Sequence, residues 1–359
     1  MARFSYGGQA LIEGVLMRGR DTIAVALRHP DGRILWADEQ LGGGFRSTRW
    51  AKLPLVRGLV VLYETLVVGT RWLIRSAGVA AAEESAVPGE AAPASADLGK
   101  GAVALMLGIT LVLGVGLFFV LPLLVARFVA GGQPGFVERV VEGIAQVTIF
   151  VGYLLVISRA SDVRRTFQYH GAEHMSIHAL EAADPLTVEA VRRYPTAHPR
   201  CGTEFLVVVI LVAIFVFSLV GRQELWLTIL SRIVLVPVIA AVAYELLRFA
   251  ARHRQWAIVR WLAAPGMWVQ MITTKQPTDD MIEVAIVALE QALAADGEAL
   301  PAEAGTIERE PLASPRPATP ATPDDLAGEP VVDADAPPTL ATTTPAAPDA
   351  PAAASTGES

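Results

Sequence analysis

Ala102-Val-Ala-Leu-Met-Leu-Gly-Ile-Thr-Leu-Val-Leu-Gly-Val-Gly-Leu-Phe-Phe-Val-Leu-Pro-Leu-Leu-Val-Ala126 runs without a charge between Lys100 and Arg127. A helix of about 20 apolar residues crosses the hydrocarbon core of a bilayer, so this stretch predicts a membrane helix. Three further stretches follow the same logic. Residues 140–158 carry one acid, Glu142, near their start; residues 205–220 are short and very apolar; residues 225–247 contain Arg232 and Pro237. Composition agrees: 53% of residues are apolar and 18% charged, with mean hydropathy +0.44, whereas soluble domains average about 25% charged. The expected fold is mainly α: an integral membrane protein with about four transmembrane helices, a small N-terminal α+β cytoplasmic layer and a disordered C-terminal tail.

Charge asymmetry orients the spans. Twelve Lys and Arg fall in residues 1–100 and six in 159–204, whereas the connections near 127–139 and 221–224 carry only Arg127, Arg139 and Arg222. Both termini and the 159–204 segment are thus expected on the cytoplasmic side of the membrane, and an even number of spans fits this. The bilayer is the expected partner. Nucleic acid is not, since no dense Lys/Arg cluster exists. The single cysteine, Cys201, excludes an internal disulfide. The N-terminus lacks the apolar core of a signal peptide.

Residues 1–78 read as the soluble layer. The runs 22–28 and 33–38 are strand-like and are joined by His29-Pro-Asp-Gly32, which has turn chemistry. Residues 53–76 are helical and apolar but broken by Arg57, Glu64, Arg71 and Arg75, a pattern that suits an interfacial amphipathic helix. Residues 79–99 suit a linker, and 100–250 form the membrane region. Residues 251–297 hold an amphipathic stretch with Trp256, Trp261 and Trp268, then a soluble helix opening on Asp279 and Asp280. From 298 to 359, Ala, Pro, Thr and Asp dominate, and such a segment buries too little apolar area to offset its ordering entropy.

The chemistry concentrates in 159–204. His170, His174 and His178 recur at four-residue steps, and His198 lies three residues before Cys201. On a helix His170 and His174 share one face, so both imidazoles can reach one ion. With Glu173 they fit the H-x-x-E-H arrangement of inverted zinc peptidases, in which the glutamate serves as base. His178 and Glu181 extend that face, and His198-Pro-Arg-Cys201 offers a second ligand pair. The expected metal ligands are His170, His174, His198 and Cys201, the expected catalytic base is Glu173, and the expected cofactor is a divalent metal, zinc by default for mixed N/S/O donors. The bland alternative is a polar helix face with each imidazole satisfied by a carbonyl. Near the N-terminus, four glycines surround Gln9, Glu13 and Arg18. Glu13 is a further candidate ligand and Arg18 a candidate anion site; the plainer expectation is a Gly-rich turn with Glu13 and Arg18 paired at the surface.

Gly7-Gly8-Gln9-Ala10, Ile12-Glu13-Gly14-Val15, Met17-Arg18-Gly19, Tyr169-His-Gly-Ala-Glu-His174, His198-Pro-Arg-Cys-Gly-Thr203, Pro265-Gly266, Gln270 and Thr273-Thr274 occur in order. Together with Pro277 and Glu283-Val-Ala-Ile286 they resemble the signatures of the YqhQ-like family of bacterial membrane proteins, over roughly residues 4–290. Leu16 stands where Met is expected, and Lys275-Gln276 where Arg-Glu is expected. The family carries a domain of unknown function usually labelled a predicted metal-dependent enzyme. The resemblance implies that Glu13, His170, Glu173, His174, His198 and Cys201 act together; it names no substrate.

Three functions compete. The first is a membrane-embedded metal-dependent hydrolase facing the cytoplasm, acting on a lipid-linked substrate or on a protein or peptide at the membrane surface. The second is a non-catalytic assembly or regulatory factor with a structural metal. The third is a transporter, which the scarcity of intramembrane polar groups (Glu142, Arg232 and Glu245) argues against. A thiol enzyme using Cys201 and His198 is a lesser alternative.

Overall fold

The structure is a computed structural model that describes residues 6–41, 53–81, 100–131, 135–199, 201–220, 224–253, 255–301 and 304–312. The expected linker from residue 82 on, Arg200, Arg222 and residues 313–359 of the expected tail lie outside the described residues.

A five-stranded sheet heads the chain, in the order β1-β2-β3-β4-β5. The hairpin expected over 22–38 is present as β3 (Thr22–Arg28) and β4 (Ile34–Gln40), with Val25 opposite Ala37. A second hairpin precedes it: β1 (Gly7–Leu11) and β2 (Gly14–Arg18) occupy the stretch expected to be a Gly-rich turn. Ile12 and Glu13 turn the chain, and Glu13 takes φ 53°, a left-handed conformation that costs a non-glycine residue roughly 1–2 kcal/mol. The Glu13 carbonyl accepts from Arg28 N–H (2.7 Å), which locks the turn onto β3.

Period-two alternation divides this sheet between two layers. Ile23, Val25 and Leu27 join Leu11, Leu16 and Trp72 in one core. Trp72 belongs to α1 (Val56–Ala80). Ala24 and Ala26 join Val15 and Met17 in the other core, with residues of α5 (Ser161–Ala182) and α10 (Asp279–Ala295). The helix expected at 279–293 is α10, and it is buried on almost every side. Its Ile282, Ile286 and Leu289 are fully enclosed, and each such side chain contributes about 1.5–3 kcal/mol.

Three of the four charges that interrupt the apolar pattern of α1 find partners on other elements. Arg57 pairs with Glu245, Arg71 with Glu39, and Glu64 with Arg18 (2.6 Å). Arg18 is therefore not paired with Glu13. Tyr63 and Leu66 of α1 stay exposed.

Among the described residues, four helical stretches are long and apolar enough to cross a membrane: Gly101–Val129, Phe136–Ile157, Thr203–Val220 and Trp226–Arg252. They coincide with the four stretches expected. The first comprises α2 (Lys100–Val115), a π-helical turn (Gly116–Val120) and α3 (Leu121–Val129). The widened turn ends two residues before Pro122, which lacks an N–H and whose ring crowds the carbonyl one turn back. The others are α4 (Phe136–Ile157), α7 (Thr203–Val220) and α8 (Leu225–Arg252). Arg232 of α8 pairs with Glu142 of α4 and lies 4.5 Å from the Phe217 ring centre. Short α6 (Val188–Val191) and α9 (Ala257–Thr273) complete the helices, and Trp256, Trp261 and Trp268, at and along α9, are exposed.

The expectation of a tail disordered from 298 needs correction for residues 304–312. β5 (Glu310–Pro311) pairs parallel with β4, and Leu312 N–H donates to the Trp36 carbonyl (2.6 Å). The reason is Glu290, a buried carboxylate on α10 that receives Arg309 (2.5 Å) and the Gly305 N–H (3.0 Å). A buried charge needs such partners, and these draw the chain back to the sheet.

Candidate metal centre

Helix α5 presents the histidines, and two flanking segments fix their tautomers. His170 Nδ1 donates to the Thr273 carbonyl (2.9 Å), and His174 Nδ1 donates to the Thr196 carbonyl (2.6 Å). A carbonyl can only accept, so each Nδ1 carries the proton and each Nε2 keeps its lone pair. His170 Nε2 lies 3.1 Å from Cys201 Sγ. His174 Nε2 is buried without a hydrogen-bond partner among the described residues, and Glu173 Oε2 stands 3.7 Å from it. One donor atom from each of His170, His174 and Cys201 lies within 4.8 Å of the other two. An imidazole whose second nitrogen is anchored by a carbonyl is the usual state of a metal-ligating histidine. An orphaned buried nitrogen otherwise costs about 1–3 kcal/mol.

Backbone close approach makes the site. Gly171 faces the Lys275 carbonyl so closely that a Cβ there would stand 2.2 Å from the oxygen, and Lys275 N–H donates to the Phe167 carbonyl (2.9 Å). The segment after α9 is thereby pressed onto α5 next to His170. On the other side, Gly8 of β1 packs on Glu173: a Cβ at Gly8 would be 3.3 Å from Glu173 Cγ.

Burial sets the protonation states. It pushes His174 down to about 3, assisted by repulsion from the neighbouring histidines and opposed by the Thr196 carbonyl. It also lowers His170. Both imidazoles are therefore neutral, as a ligand must be. Burial raises the Glu173 carboxyl to about 8, opposed by the Gly8 N–H that donates to it. The Cys201 thiol is pushed up to about 11, again by burial, although Thr203 at the start of α7 donates its N–H to the sulfur (3.4 Å). A thiol so raised is a poor nucleophile by itself. The imidazole 3.1 Å from the sulfur is that of His170.

Two expected ligands do not join this group. His198 lies beside it, with ring centres 5.7 Å from His174 and 4.5 Å from His178. Its main chain is clamped by Gln270, which accepts from His198 N–H (2.9 Å) and donates to its carbonyl (3.1 Å), and this directs the ring toward His178 and Glu181. Glu13, read as a ligand from sequence, instead receives Arg165 Nε and Nη2 (both 2.6 Å) and the Tyr169 hydroxyl (3.3 Å). A bidentate guanidinium occupies both of its oxygens. Sequence reasoning assigned no role to Thr196, Gly8 or Arg165. Gln270 and Thr273 stood within a family-like segment, the only hint of their positioning roles.

Cys201 also lines a cavity of about 520 Å³ between α1 and the facing ends of α7 and α8. Its walls are mostly apolar, with Val61, Leu62, Phe205 and Leu247, and its charged residues are Arg248 and Glu204.

Fold and site together describe a chain of long apolar helices joined to a small α+β layer, with a buried His/Cys/Glu centre at the junction. This chain belongs to the family described as a protein of unknown function (DUF1385), whose model matches residues 53–295. It is similar to the "Uncharacterized protein YqhQ" of Bacillus subtilis (strain 168), with 30% identity over 305 residues, covering 80% of this chain and 92% of that protein. No solved structure matches.

Proposed function

We propose that this chain is a membrane-embedded metal-binding protein and that it works as a metal-dependent hydrolase at the cytoplasmic membrane surface, on a lipid-linked substrate. The observation that carries the reading is the convergence of one donor atom from each of His170, His174 and Cys201 within 4.8 Å of one another, with His174 Nε2 buried and without a hydrogen-bond partner among the described residues. Two nitrogens and one sulfur suit zinc and leave a fourth position for water or substrate. A bound divalent ion supplies Lewis-acid polarisation and makes water a stronger acid. Glu173, 3.7 Å from His174 Nε2, is the group placed to move a proton: burial holds its carboxyl protonated near neutral pH, and a bound cation would lower its pKa into the range of a base. Thr273 and Thr196 hold the imidazoles in register, and Gly8 orients the Glu173 carboxylate. The apolar cavity beside Cys201 suits a lipid chain, with Arg248 placed for an anionic headgroup.

In this reading the four apolar helices cross the bacterial cell (inner) membrane, with both termini and α5 cytoplasmic. The asymmetry of Lys and Arg supports that orientation. The exposed apolar side of α1 and the exposed tryptophans at α9 support interfacial contact. The intramembrane charges Arg232 and Glu142 pair with each other across the bundle, which favours a packing role for them over a transport path.

One observation favours a second reading, a non-catalytic assembly or regulatory factor with a structural metal: Glu173 is tied to β1 through Gly8 and wholly enclosed. The two readings part on two variants of the detergent-purified protein, assayed against a panel of lipid esters and lipid phosphates. A hydrolase requires that Glu173→Gln keep its metal and lose turnover. A structural site requires that Glu173→Gln be nearly silent while His174→Ala lowers the melting temperature. No bound metal after supplementation removes both.

A further inference from the structure

The remaining histidines form a second constellation. One donor atom from each of His178, Glu181 and His198 lies within 4.8 Å of the other two. We propose that these three residues hold a second divalent cation, making the centre dinuclear; the dinuclear form rests on the first site proposed above, whereas the second position stands on its own ligands.

Each of the three is placed by the fold. His178 and Glu181 are three residues apart on α5 and share a side of the helix. His178 Nε2 donates to the Ala197 carbonyl (2.9 Å), which leaves the lone pair on Nδ1. The ring is further held by stacking on Tyr194 (centres 6.0 Å apart, planes within 9°), whose hydroxyl donates to Asp184 (2.6 Å). His198 is held through its main chain by both ends of the Gln270 amide. Its Nε2 approaches Glu181 Oε2 at 3.5 Å. His198 is buried, whereas the Glu181 side chain is 37% exposed, so an ion has a polar edge by which to enter. This set has two nitrogens and a carboxylate but no sulfur. It suits zinc, manganese or iron(II), whereas the first set, with its thiolate, favours a softer ion. The His174–His198 ring separation of 5.7 Å places the two sets side by side.

Cobalt(II) distinguishes the two positions. It replaces zinc and gives a near-ultraviolet sulfur-to-cobalt charge-transfer band only where a thiolate binds it. The full chain, stripped with chelator in detergent and titrated with Co²⁺, should take up two ions, one giving the sulfur band and the other only ligand-field absorption. Glu181→Gln is the mild variant, because that side chain reaches solvent. It and His178→Ala should each reduce the count from two ions to one and keep the sulfur band. Cys201→Ser should abolish the band and keep one ion. A single ion with the band intact in the unmutated protein, or two ions unaffected by either His178→Ala or Glu181→Gln, overturns the second site and leaves the first standing. Binding without any sulfur band, if lost with Glu181→Gln, upholds the second site and overturns the first.

Discussion

Replacing Gly171 by alanine tests whether the close approach beside His170 builds the centre. The new Cβ would stand 2.2 Å from the Lys275 carbonyl oxygen and 3.2 Å from Thr196 Cγ2. A carbon–oxygen contact relaxes at about 3.3 Å, so the segment after α9 must retreat by about 1 Å. That segment carries the Lys275 N–H bond to the Phe167 carbonyl and the Thr273 carbonyl that anchors His170, both 2.9 Å. Overpacking costs about 1–3 kcal/mol, and each weakened hydrogen bond up to about 1 kcal/mol. The better helix propensity of alanine returns about 1 kcal/mol. The net loss is about 2 kcal/mol, and at about 2–4 °C per kcal/mol for a chain of this class the melting temperature falls by about 4–8 °C. Thermal unfolding in detergent reads this. The matched control is Gly152→Ala in α4, where a Cβ meets nothing within 4 Å, and the melting temperature should hold or rise. If Gly171→Ala melts at or above the parent temperature with its metal content unchanged, the packing argument is wrong.

Other outcomes follow from the same contacts. Glu13→Gln loses a half-exposed ion pair with Arg165, costing about 1 kcal/mol or less, and should keep the full metal complement; loss of metal would return Glu13 to the ligand set. Glu142→Ala strands the buried Arg232 and should cost about 3–5 kcal/mol, whereas adding Arg232→Met should recover most of it, read as melting temperature in detergent. Asp296 joins α10 to the sheet, accepting from Arg20 N–H (2.6 Å), the Thr22 hydroxyl (2.7 Å) and the Tyr6 hydroxyl (3.0 Å). Burial works to raise its pKa, but these donors outweigh it and hold the carboxyl below the ordinary aspartate value. Its contribution is therefore present above about pH 4 and fades as the pH falls through the lowered value. Asp296→Asn should cost about 1–2 kcal/mol at neutral pH, and its difference from the parent should shrink in acid; a constant difference would contradict the assignment.

The membrane-length helices were legible because each is an apolar run bounded by charges, a signal that needs no tertiary information. The β3–β4 hairpin was legible from His29-Pro-Asp-Gly32. The β1–β2 hairpin was not, because glycines blur its alternation and its turn places a glutamate at positive φ. The burial of α10 on nearly all sides lay in its composition, but only the sheet and α5 explain it. The return of residues 304–312 depended on one buried acid, Glu290, which no local pattern reveals. At the site, four-residue spacing put His170 and His174 on one face, as found, whereas the expected pairing of Cys201 with His198 is replaced by its grouping with His170 and His174. Spacing could not tell that His198 turns toward His178, because a glutamine 72 residues away in sequence holds its main chain. Nor could it tell that Arg165 claims Glu13, since that pair joins a turn in the sheet to a distant helix.

The sulfur of Cys201 decides the central claim. X-ray absorption on the purified chain loaded with one equivalent of zinc reads the atoms around the metal directly. The account predicts a shell containing a sulfur scatterer at about 2.3 Å beside nitrogens at about 2.0–2.1 Å, lost as a unit in a His170→Ala, His174→Ala double variant. A shell of light atoms alone, with Cys201 still reacting as a free thiol, would contradict it.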